Sequence, residues 1–119
     1  MNCAELRTTI SSLDDTIMVA CVGEVDLSSV AVLREALDQA LGAGPDLVVV
    51  DFSRLSFLDS TGINCLVHAF NAGAEVGCRV VVRNAAGMVR RVLELTALDD
   101  LLFDLADRAV GDRPTEGVG

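Results

Sequence analysis

Two hydrophobic periods alternate along the chain. Thr16–Val25 (TIMVACVGEV) is rich in β-branched and small apolar residues, the composition of a strand. A shorter apolar stretch at 6–10 precedes it, and the Asp14-Asp15 pair between them suits a hairpin turn. From Ser28 the period lengthens. Val30, Leu33, Leu37 and Leu41 recur at three- and four-residue steps, which predicts an amphipathic helix over 28–41 with Arg34, Glu35 and Asp38 outward. Ser28 is its expected N-cap, and Gly42, Gly44 and Pro45 end it. The continuous apolar run at 47–50 is the pattern of a strand covered on both faces. Ile63, Leu66, Val67 and Phe70 then mark a helix over 61–72 that begins near Ser60, with Gly73 and Gly77 closing it. Residues 79–82 read as another buried strand. Val89, Val92, Leu93 and Thr96 form a helical face over 86–96, and 101–103 reads as a last short strand. The tail at 108–119 is polar and Gly-rich, so disorder is expected there. The sum is an α/β fold: one small sandwich over 1–107, a mixed four- to five-stranded sheet with flanking helices.

Composition narrows what such a domain does. The chain has 119 residues, the size of one domain, and half of them are apolar. Its four aromatic residues are all Phe, so the core is built from Val, Leu, Ile and Ala. Nine basic residues, every one Arg, face eighteen acidic ones for a net charge of −9. That balance repels phosphate backbones, and nucleic acid is not an expected direct partner. Without Lys there is no P-loop lysine and no Schiff-base lysine. One His provides no pair of imidazoles for zinc, and no metal or cofactor is expected on this chain. The first residues lack the basic and apolar regions of a signal peptide, and no apolar run approaches the roughly 18 residues that span a bilayer. A cytoplasmic protein without membrane contact is the expectation. Cys3, Cys21, Cys65 and Cys78 are scattered, the arrangement of reduced structural thiols, with Cys3 and Cys78 the more reachable.

Chemistry then has to be sought where strands end and helices start. Asp59-Ser60-Thr61-Gly62 places polar groups directly after the apolar Phe57-Leu58. The first turn of a helix exposes unpaired N–H groups and a positive dipole end, so a phosphate carried by a hydroxyl there would be stabilised. Ser60 or Thr61 equally suits a plain helix cap. A hydrolytic nucleophile is excluded: His68 lies about 12 Å along the same helix, beyond hydrogen-bond reach, on its polar side. Glu24 and Asp26 form a second polar site, where i, i+2 spacing on a strand points both carboxylates one way. Such acids suit acid–base work, a metal or a solvated strand end. Gly42-Ala43-Gly44 follows a helix and lacks a third glycine, so it is no dinucleotide fingerprint. Arg83, Arg90 and Arg91 make a candidate positive patch.

The stretches VGEVDLSSVAVLREAL (22–37), DLVVVDFSRLSFLDSTGINCL (46–66) and VRNAAGMVRRVLELTALDDLLF (82–103) together resemble STAS domains, and among them the bacterial anti-sigma factor antagonists. D-S-T-G downstream of G-E-V-D is the specific combination. The resemblance implies partner switching and no enzymatic activity. Unphosphorylated, such a protein binds an anti-sigma factor serine kinase and releases a sigma factor. Phosphorylation of the motif serine, here Ser60, ends the contact, and a phosphatase resets it. ATP and magnesium belong to the kinase alone. Asp26 maps to the partner-facing aspartate, and Glu24, Asp59, Thr61, Gly62 and Asn64 are the surrounding partner-binding candidates. Gly62-Ile63-Asn64 departs from the usual G-L-G, and no Pro follows Asn84. A STAS scaffold or lipid-transport accessory subunit that is never phosphorylated is the alternative.

Overall fold

The computed structural model describes residues 5–95. Its elements run β1 (Leu6–Leu13), β2 (Thr16–Val25), α1 (Val30–Gly42), β3 (Leu47–Leu58), α2 (Ser60–Glu75), β4 (Arg79–Arg83) and α3 (Gly87–Leu95). Among the described residues the sheet is four-stranded, in the order β1-β2-β3-β4. β1 pairs antiparallel with β2 through the turn at Asp14, whose φ of 56° is left-handed. β2, β3 and β4 are parallel. Both crossovers therefore step the same way across the sheet, and right-handed connections put α1 and α2 on one face of it. Ile17, Val19, Cys21, Val48, Val50, Val80 and Val82 meet Leu33, Leu37, Leu66 and Ala69 there, in a core of aliphatic residues around Phe52. The mixed α/β sheet is the expected one. The strand expected at 101–103, the tail at 108–119, Thr96 and Cys3 lie outside the described residues.

Several boundaries differ from expectation for physical reasons. β1 continues three residues past 10, because Ser11, Ser12 and Leu13 pair with Met18, Ile17 and Thr16. β3 runs to Leu58 rather than stopping at 50. Its register against β2 slips twice, each time with an extra residue on β3. The bulges let Phe52, Leu55 and Leu58 all reach the core at three-residue steps, a spacing that hides a strand from any test of alternation. Helix α2 passes through Gly73, where a Cβ would stand 2.6 Å from the Cys78 carbonyl oxygen. Gly73 is thus a contact point, not a helix stop. No helix among the described residues is long and apolar enough to cross a membrane.

Candidate functional site

The ends of two neighbouring parallel strands define the site. In the β2–β3 register Glu24 faces Phe57 and Val25 faces Leu58. One residue further on each strand stand Asp26 and Asp59, and the Asp59 N–H donates to the Val25 carbonyl at 3.2 Å. Two motifs far apart in sequence therefore meet at the carboxyl edge of the sheet, where α1 and α2 both begin. Open α/β sheets place their binding surfaces at that edge.

Asp59 is the N-cap of α2, with φ −113° and ψ −170°. Its Oδ1 accepts from the Thr61 N–H at 3.0 Å and the Gly62 N–H at 3.4 Å, and also from the Thr61 hydroxyl. The cap expected at Ser60 or Thr61 is therefore corrected by one register step. An aspartate that precedes the helix reaches two open amides, whereas Ser60 already belongs to the first turn. The amides expected to welcome a phosphate are held by this carboxylate. The hydroxyls of the motif are sorted at the same time: Thr61 is half-buried and tied to Asp59, and Ser60 is exposed. Gly62 is buried, and a Cβ there would stand 2.3 Å from Leu58 Cδ1 and 2.7 Å from Val25 Cγ1. Only glycine lets the first turn of α2 sit this close to the strand ends. Asn64 is exposed one turn on, and His68 is exposed as expected.

Asp26 stands just beyond β2, so the strand argument that aimed Glu24 and Asp26 together does not apply to it. Its Oδ1 accepts from the Ser28 hydroxyl at 2.7 Å, the Ser28 N–H at 2.9 Å and the Ser29 N–H at 3.2 Å. The Ser28 hydroxyl above all holds the Asp26 carboxyl below its ordinary range; burial opposes it as the next effect, and the Ser28 N–H and the Ser29 donors add to the lowering. Ser29, not Ser28, is the N-cap of α1, and its side chain makes no capping bond to the helix. It is buried and ties the turn down, accepting from the Asp26 N–H at 3.0 Å and donating to the Glu24 carbonyl at 2.8 Å. Glu24 itself is half-buried.

Other parts of the site escaped sequence reading. Gly23 has φ 121°, and a Cβ there would meet the Glu5 carbonyl oxygen at 2.1 Å. The Glu24 N–H bonds that same oxygen at 3.0 Å, so the glycine of G-E-V-D lets the edge strand close on β2. The Ser56 hydroxyl donates to the Gly23 carbonyl at 3.1 Å across the second bulge. Leu27 is 78% exposed at the tip of the Asp26–Ser29 turn. The G-E-V-D-L string was the available signal for Gly23 and Leu27; nothing in the sequence marked Ser29 or Ser56. Within the candidate arginine patch, Arg90 Nε pairs with Glu94 Oε2 at 3.0 Å one helical turn away, on the exposed side of α3. Inside β3, level with Ala20 of β2 and the end of β4, Asp51 Oδ1 accepts from Asn84 Nδ2 at 3.1 Å and from the Ser53 N–H at 3.0 Å. Burial raises the Asp51 pKa, but these bonds together outweigh it and the net direction is downward. Among the described residues no three His, Cys, Asp or Glu side chains gather as metal ligands would.

The fold agrees with what the chain is similar to. Residues 8–104 match the family model described as Mlab, STAS domain. The chain belongs to the STAS-domain family. Its relatives include the anti-sigma-F factor antagonist RsfB of Mycobacterium tuberculosis, 30% identical over 112 residues, which cover 91% of this chain and 90% of that protein. The anti-sigma-B factor antagonist of Bacillus subtilis is 27% identical over 106 residues, covering 89% and 95%. The crystal structure of an anti-sigma factor antagonist from Mycobacterium paratuberculosis aligns with a TM-score of 0.71 at 30% identity, over 88% of this chain and 91% of that one.

Proposed function

We propose that this chain is an anti-sigma factor antagonist controlled at Ser60. Unphosphorylated, it binds an anti-sigma factor serine kinase and so frees a sigma factor in the cytoplasm. The kinase, carrying ATP and magnesium, phosphorylates Ser60 and the contact ends; a phosphatase restores it. One observation carries this reading. Of the two hydroxyls in D-S-T-G, Thr61 is bound to Asp59, whereas Ser60 is exposed on the first residue of α2. Glu24, Asp26, Asp59, Thr61 and Asn64 surround it on the carboxyl edge and form the partner surface, with buried Gly62 seating the first turn of α2 beneath them. A phosphate would bring nearly two negative charges to that surface. Burying them against a fitted partner with no answering cation costs several kcal/mol, and each 1.4 kcal/mol or so weakens binding about tenfold. Asp59 beside Ser60 adds like charge.

The test is incubation with the anti-sigma factor serine kinase, ATP and magnesium, followed by intact and peptide mass. One phosphate on Ser60 is expected. Calorimetry with the kinase and ADP should find Ser60→Ala bound and Ser60→Asp bound poorly, with both variants folded. Equal binding by the two, or phosphate on Thr61 alone, overturns the proposal. Binding with no phosphorylation at all favours an unphosphorylated scaffold or accessory subunit.

A further inference from the structure

Four large apolar side chains among the described residues are more than two-thirds exposed: Leu13 (76%), Leu27 (78%), Val76 (69%) and Leu95 (75%). Scattered exposed leucines are ordinary, so exposure alone marks nothing. Position separates them. Leu13 borders the turn that feeds β2 and Val76 caps the far end of α2, which places both on the edge of the sheet opposite Ser60. Leu95 ends α3. Leu27 alone follows a parallel strand's carboxyl end, directly after Asp26, on the edge where Asp59 and Ser60 stand.

Rigidity separates Leu27 further. It is the tip of a turn closed from both sides. The Ser29 and Val30 N–H groups bond the Asp26 carbonyl at 3.0 and 2.8 Å. The Asp26 carboxylate takes the Ser28 donors, and buried Ser29 pins the turn to the Glu24 carbonyl. The backbone that carries Leu27 is already fixed, so a partner that covers it has only the side chain's own rotamers left to order, a smaller cost than ordering a mobile loop. The rim is acidic: Glu5, Glu24, Asp26 and Asp59 line the strand ends. Arg54 flanks Val22 in the ladder away from the turn, and Arg7, which lines a surface pocket with Glu5, Ser28 and Ser29, is one cation against these four acids. A partner that fits offers an apolar pocket with basic side chains around it.

We infer that Leu27 is the apolar anchor of the surface that the anti-sigma factor serine kinase covers, and that the Asp26–Ser28–Ser29 turn serves to present it. This rests on the antagonist reading above and adds to it the residue that sets affinity on the unphosphorylated side of the switch. Phosphate at Ser60 then acts beside the anchor and not on it.

The experiment is calorimetry of the full chain with the ADP-loaded kinase, using the parent, Leu27→Asp, Leu27→Ala and Val76→Asp. Leu27→Asp and Leu27→Ala should each weaken binding at least about tenfold, whereas Val76→Asp, with the same charge placed at the opposite edge, should bind like the parent. Thermal unfolding of each variant reports whether the fold is kept, and Leu27→Ala keeps the test valid if the aspartate disturbs the turn. A parent that binds while both Leu27 variants bind equally well overturns the anchor and leaves the antagonist reading standing. Equal losses at Leu27 and Val76 also overturn it. A parent that fails to bind the kinase overturns the antagonist reading, and the anchor falls with it.

Discussion

Burial pushes the Cys21 thiol up to about 12, with the Asp51 carboxylate and Cys65 adding smaller effects. Burial also raises Cys65, where Arg34 opposes and Asp38 reinforces it, and Cys78 is raised by burial above all. The thiolate is the reactive form, so these groups stay inert near neutrality. A thiol reagent at pH 8 is expected to leave Cys21, Cys65 and Cys78 unmodified in the native protein and to reach all three in denaturant; peptide mass identifies each. Rapid native labelling of any of them would contradict the structure. A thiol that keeps its proton in the fold but releases it near 9 when unfolded stabilises the native state fully below that pH. The contribution is lost as pH rises from about 9 toward 12. The chain contains neither Lys nor Tyr, so this alkaline decline belongs chiefly to the cysteines, and Cys21→Ala should flatten it. Cys21 and Cys65 were legible as buried because both sit in apolar-periodic stretches. Cys78 was not. It stands between Gly77 and Arg79, and what buries it is tertiary: its N–H bonds the Gly73 carbonyl at 2.8 Å where α2 meets β4.

The elements show where sequence reading stops. Hydrophobic patterning marked every strand and helix of residues 5–95, the helices by their 3.6-residue period and β3 and β4 by continuous apolar runs, but β3 only as far as residue 50. Caps were placed one step off at both helices. Asp, Ser and Thr are all acceptable at an N-cap, and only backbone angles decide which residue of D-S-T or of S-S takes the position. Bulges in β3 likewise depend on its neighbour's register and leave no mark of their own. Two substitutions test the observed arrangement of α2. Asp59→Ala removes the acceptor for two amides and a hydroxyl, and chemical denaturation should find a loss of about 1 kcal/mol, within the range for capping residues. Gly62→Ala forces a methyl against Leu58 and Val25. Overpacking of that kind costs about 1–3 kcal/mol, even though alanine is the better helix former. A neutral or stabilising Gly62→Ala would mean that the first turn of α2 is not seated on the strand ends.

Across the whole molecule, the candidate site exists because parallel pairing of β2 with β3 aligns Val25 with Leu58. No spacing rule reveals that meeting, and the two motifs could be joined beforehand only through the family resemblance. The same assembly determines what phosphorylation does to the protein itself. Phosphorylated Ser60 adds about −1.5 to −2 charges to a chain that already carries −9. A helix start would ordinarily receive the phosphate on its free amides. Here Asp59 holds the Thr61 and Gly62 N–H groups at 3.0 and 3.4 Å. Displacing that carboxylate would exchange one anion for another and leave Asp59 unpaired beside the phosphate. The phosphate is therefore expected to remain outward, changing the surface and not the fold. Amide NMR of the phosphorylated protein, titrated through the phosphate's second ionisation near pH 6, is the measurement. The Thr61 and Gly62 resonances should move little across that titration, and resonances from the β2–β3 ladder should stay where they are in the unphosphorylated chain. Large downfield shifts of both amides that follow phosphate ionisation would mean that the phosphate has taken the cap from Asp59.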